Sequence, residues 1–90
     1  MPRYVVERTF PDGLNLPAGD EGNTVRAKIV ANNAKLGVTW IYSYVNEDRT
    51  KTFCIYDGPS PEAIRRTASR NKLPVQRITE VRVLDPYFYR

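Results

Sequence analysis

The sequence predicts an α+β fold in which two helices cover one face of a four-stranded antiparallel sheet. Four stretches are rich in β-branched and aromatic residues, two intervening stretches have helical character, and turn residues punctuate them in the order βαββαβ. That order is the ferredoxin-like arrangement.

The first strand is RYVVERTF, residues 3–10, closed by the turn combination PDG. The next stretch opens with helix-poor glycines and then sets Val25, Ile29 and Leu36 on one approximate helical face. Gly37 is suited to cap that helix at its C-terminus. VTWIYSYV, residues 38–45, and KTFCIYD, residues 51–57, flank the turn-forming NEDRT and read as an antiparallel hairpin. In the second helix Ser60 is the N-cap, Pro61 occupies the first helical position and Glu62 lies at the positive end of the dipole. Pro74 limits the helix downstream. QRITEVRVLD, residues 76–85, alternates as a fourth strand, and PYFYR is an aromatic tail.

Ninety residues, 41% hydrophobic and 27% charged, are expected to form one small globular domain spanning 1–90. No apolar run approaches the roughly 20 residues of a membrane span, and the N-terminus lacks the apolar centre of a secretory signal. A cytoplasmic protein without a membrane partner is the expectation. Its net charge of +4 is spread among 14 basic and 10 acidic residues with no dense basic run, which argues against nucleic acid. The RNA-recognition motif shares the βαββαβ order but stacks aromatics two residues apart on one strand face. Phe53 and Tyr56 are three apart. With no histidine, a Cys–His mechanism is excluded. The single cysteine, Cys54, excludes an internal disulfide and a structural zinc site built on thiolates.

Two helices cover only one face of such a sheet. Strand parity assigns Tyr4, Val6, Ile41, Val45, Phe53, Ile55, Val81 and Val83 to the covered side. It leaves Val5, Glu7, Trp40, Tyr42, Tyr44, Cys54, Tyr56, Glu80 and Arg82 on the other. A face that aromatic marks an interaction surface. A homodimer is therefore expected, its sheets meeting as a dimeric α/β barrel, with the tail lapping onto the partner.

The blocks GVTWIYSYV, KTFCIYDGPSPEAIRRTA and LPVQRITEVRVLDPYF, with the opening YVVERTFP, resemble a small bacterial family of ferredoxin-like proteins that includes a nickel-binding member. The resemblance spans nearly the whole chain and implies the dimeric α/β fold. It also implies that nickel, or another divalent transition metal, is a candidate cofactor. The family pattern carries a histidine where this chain has Tyr42 and another about where Thr67 stands, whereas Cys54 and Glu7 match it.

The leading expectation is a homodimeric binding protein holding a metal ion or small ligand between its sheets. Cys54 and Glu7 would be the metal donors, Tyr42 a polar substitute for the lost imidazole, and Trp40 an apolar wall. Taken as structural residues instead, Cys54 is a small buried hydrophobe and Glu7 pairs with Arg82 across neighbouring strands. The alternative function is a cofactor-independent enzyme acting on an apolar or aromatic small molecule. In it Glu7 is the base, and Tyr42 or Arg82 stabilises developing negative charge. Arg65, Arg66, Arg70, Lys72 and Arg77 read as a solvated basic surface able to attract an anion.

Overall fold

The computed structural model describes residues 1–14 and 19–87. The elements are β1 (Arg3–Thr9), α1 (Gly19–Ala34), β2 (Thr39–Val45), β3 (Lys51–Asp57), α2 (Pro61–Arg70) and β4 (Arg77–Val81), which is the expected βαββαβ order. They build one antiparallel sheet in the order β2-β3-β1-β4. No helix among the described residues is long and apolar enough to cross a membrane.

Both helix ends follow from local chemistry. At the start of α2, Ala63 N–H donates to Ser60 Oγ at 3.2 Å, and Pro61 occupies the first turn, where its missing N–H costs nothing. α1 closes with Gly37 at φ +70°, Gly37 N–H donating to Ala34 O and Val38 N–H to Asn33 O. That pair of bonds is a Schellman motif, which needs a left-handed residue at this position. α2 ends the same way, with Lys72 N–H to Ser69 O and Leu73 N–H to Ala68 O, but here the left-handed residue is Lys72 at φ +57°.

The core lies between the sheet and the helices. Tyr4, Val6, Cys54 and Tyr56 from the sheet pack with Val38 and with Ile64 of α2, and Leu36, Trp40, Ala63, Val75 and Ile78 border them. Ile64 is fully buried and contributes about 2 kcal/mol by leaving water. α1 does not present the expected stripe, since Val25 is 38% exposed and the residues it buries are Gly22 and Asn33. Asn33 is spent on tying the helices together: Asn71, the C-cap of α2, donates to its Oδ1 at 3.1 Å and accepts from Asn32 at 2.8 Å.

Register settles which residues share a face, because directly paired residues point the same way. Tyr4 pairs with Tyr56 and Glu80, Val6 with Cys54 and Ile78, and Arg8 with Thr52, all on the covered side. The open face carries three cross-strand rows that span all four strands, and beyond them the pair Thr9 with Lys51. From β2 to β4 they are Thr39, Asp57, Arg3, Val81; then Tyr42, Ile55, Val5, Thr79; then Tyr44, Phe53, Glu7, Arg77.

This corrects the expected face assignment on three strands. β3 has the opposite parity to that expected, so Cys54 and Tyr56 are covered while Phe53 and Ile55 are open. A one-residue register shift between Trp40 and Tyr42 splits the β2 aromatics, so Trp40 joins the covered side opposite Tyr56 while Tyr42 and Tyr44 stay open. A bulge inverts every side chain beyond it, and simple alternation misses this. Val81 is open and Glu80 covered, again the reverse of the expectation. β4 ends at Val81, so Arg82, Val83 and Leu84 follow the strand. Tyr87 is exposed, and tail residues 88–90 lie outside the described residues.

Candidate functional site

The open face has an apolar middle and charged margins. Val5 and Ile55 are half-buried at its centre, Phe53 is 37% exposed, and Tyr42 and Tyr44 are 50% and 62% exposed toward the β2 edge. The two tyrosines meet edge to face, with ring centroids 5.4 Å apart. Hydrogen bonding with Tyr42, and its charge, raise the Tyr44 phenol above its ordinary value. The far row is closed by a two-pronged ion pair, Arg3 Nε to Asp57 Oδ1 at 2.9 Å and Arg3 Nη2 to Asp57 Oδ2 at 3.3 Å. The hydrogen bond from Arg3 holds the Asp57 carboxyl below its usual range, and its partner raises Arg3 in turn.

Glu7 is the carboxylate of the middle. It is half-buried, with Phe53 directly opposite on β3 and Tyr44 one strand further in the same row. Among the described residues its side chain has no ion-pair partner, because Arg3–Asp57 is the salt bridge they form. Its β4 neighbour is Arg77, not the expected Arg82. Arg82 instead lines an open groove of about 480 Å³ with Arg3, Asp57 and Glu80 at the end of the sheet.

Of the expected site residues, then, Glu7 and Tyr42 share the open face, in adjacent rows and two strands apart. Trp40 and Cys54 are on the other side of the sheet. Trp40 Nε1–H donates to Ser43 Oγ at 2.9 Å and its ring borders the core, so it walls no open-face chamber. Cys54 is buried with its Sγ 3.6 Å from Thr52 Oγ1. Thr67, near one of the positions where the resemblance implies a histidine, faces the core and donates to Ile64 O at 2.8 Å.

Sequence reasoning missed Phe53 and Ile55 on the open face and Arg8 beneath the helices. Arg8 is 3% exposed. It donates from Nη1 to Pro74 O at 2.7 Å and from Nη2 to Tyr56 Oη at 3.1 Å, with no carboxylate partner and its Nε unsatisfied. Burial pushes the Tyr56 phenol up, and Arg8 partly opposes the shift. The signal for Arg8 was its parity with Tyr4 and Val6; its charge argued the other way.

A family model described as nickel-responsive protein, SCO4226-like, matches residues 4–81. A search of curated proteins finds no match. Among solved structures, the crystal structure of SCO4226 from Streptomyces coelicolor A3(2) superposes with a TM-score of 0.71 at 18% identity. The match covers 92% of this chain and 99% of that one. That superposition shows a shared fold, and the family match extends over nearly every element of the sheet and both helices. The chain belongs to the SCO4226-like nickel-responsive protein family.

Proposed function

We propose that the chain is a cytoplasmic homodimeric binding protein whose two open sheet faces meet and hold a small organic molecule between them. The observation that carries this reading is the composition of the open face. Val5, Phe53, Ile55, Tyr42 and Tyr44 form a continuous apolar and aromatic surface around one carboxylate, Glu7, that has no ion-pair partner among the described residues. Surfaces of this kind on small soluble proteins serve interaction, and a few convergent polar groups in an apolar enclosure are the usual make-up of a ligand site.

The family's description brings nickel into consideration, and the donor chemistry does not favour it. Late first-row ions prefer nitrogen and sulfur ligands. Cys54 and Glu7 leave the sheet on opposite faces and cannot share an ion, and the described residues contain no group of three or more His, Cys, Asp or Glu side chains able to hold one. Glu7 from each of two copies would supply oxygen alone.

Native mass spectrometry of untagged protein tests the reading. A dimer that retains a small non-protein mass, lost in Glu7→Gln, supports it, whereas a bare monomer overturns it. A dimer carrying one nickel per chain would restore the metal.

A further inference from the structure

We infer that the open face is selective for organic cations: a ligand with an ammonium head and a short apolar or aromatic body, its head seated at Glu7 against the rings of Phe53 and Tyr44. This rests on the reading that a second copy encloses the face.

Three features of the row Tyr44, Phe53, Glu7, Arg77 point to a cation. Glu7 is half-buried before anything covers it and has no salt-bridge partner among the described residues. Arg77, its cross-strand neighbour, makes no salt bridge with it, so on closure of the face the carboxylate draws in either that guanidinium or a cationic ligand head. Next, the strand neighbour of Glu7 is an aromatic ring, followed by a second one. With strands about 4.8 Å apart, an ammonium at Glu7 lies within reach of the Phe53 ring, and a body of one ring's length reaches Tyr44. Ring faces attract ammonium ions, and the attraction grows on desolvation.

The third feature is the position of Arg77. It stands on the edge strand β4, exposed, with Glu7 as its neighbour in the row and no ring on its outer side. An aromatic anion paired with Arg77 would place its charge beside the Glu7 carboxylate. Its body would lie either over Glu7 or beyond the sheet. A cation meets neither penalty, and Arg77 can extend into water at the edge.

The experiment uses a matched pair of probes with the same aromatic body, phenethylamine and 3-phenylpropionate. Each is titrated into the full chain by calorimetry, with sedimentation run on the same samples. The amine is expected to bind about tenfold or more tightly than the acid, a preference of the size that a charge-assisted contact with a ring beside it supplies. Glu7→Gln is expected to erase the preference, Phe53→Leu to weaken the amine severalfold while keeping apolar bulk, and Arg77→Gln to tighten the amine by removing its competitor. A dimer that binds the acid as well as the amine, or binds neither, overturns the inference and leaves the enclosed dimer standing. A monomer overturns both.

Discussion

Cys54 and Glu7 lie on neighbouring strands one register step apart, and their side chains leave the sheet on opposite faces. Cys54 pairs with Val6 and is buried under the helices, whereas Glu7 pairs with Phe53 and faces outward. One substitution therefore reports on the core and the other on the open face. Cys54→Ala is expected to leave ligand binding unchanged and lower stability by about 1 kcal/mol through lost packing. Glu7→Gln is expected to do the reverse, weakening the binding of the amine and leaving folding intact. Denaturant titration alongside calorimetry separates the two.

Lys72 holds φ +57° at the end of α2, where a glycine would fit the same Schellman bonds without a steric penalty. Its side chain is exposed. Lys72→Gly is expected to raise stability by about 1 kcal/mol, and Gly37→Ala, at φ +70°, to lower it by a similar amount. Thermal unfolding should show midpoints moving in opposite directions.

Arg8 is a buried guanidinium whose hydrogen-bond partners are two neutral oxygens, with its centre 5.9 Å from the middle of the Tyr56 ring. A buried charge held this way is costly, so Arg8→Met, similar in length and apolar, is expected to be neutral or stabilising. Tyr56→Phe removes one acceptor and strands a buried N–H, and is expected to cost about 1–3 kcal/mol. Equilibrium unfolding in urea checks both. A large loss in Arg8→Met would mean that the guanidinium has a function its neutral partners do not account for.

Asp57 contributes to the acid limit of stability and Tyr56 to the alkaline limit. Asp57 titrates below its ordinary value because of Arg3, so its contribution is present above the unfolded carboxyl pKa of about 4 and disappears as pH falls through the folded value. The Tyr56 phenol titrates above its ordinary value because of burial. The neutral phenol thus favours the folded state below about pH 10, and that advantage disappears as pH rises through the folded value. Asp57→Asn should flatten the acid limb of a stability–pH curve and Tyr56→Phe the alkaline limb. Since the Arg3–Asp57 pair is partly exposed and screened by water, its limb is the shallower.

The element order and both caps were legible because each rests on local chemistry: Ser60 before Pro61, Gly37 after α1, NEDRT between two β-rich runs. Face assignment was less legible because it depends on register. Nothing local in KTFCIYD says whether Cys54 or Phe53 faces the helices, and that choice is settled by the pairing of Val6 with Cys54 and of Arg3 with Asp57. The β2 bulge is likewise a tertiary feature, and it divided Trp40 from Tyr42. Asn33 and Arg8 were hidden by their polarity, since each is buried by satisfying groups on a distant element. Glu7 and Tyr42 lie on the face expected of them, but the β4 neighbour of Glu7 is Arg77 and not Arg82, because the antiparallel register sets Val81 against Arg3 and so Arg77 against Glu7.

An enclosed site requires a second copy to cover the face that bears Val5, Phe53 and Ile55. Sedimentation equilibrium on the untagged protein and on Phe53→Asp, at micromolar concentration, tests that most directly. The expected result is twice the chain mass for the native sequence and a folded monomer for the variant. A native sequence that sediments as a monomer, with the same apolar face left in water, would contradict it.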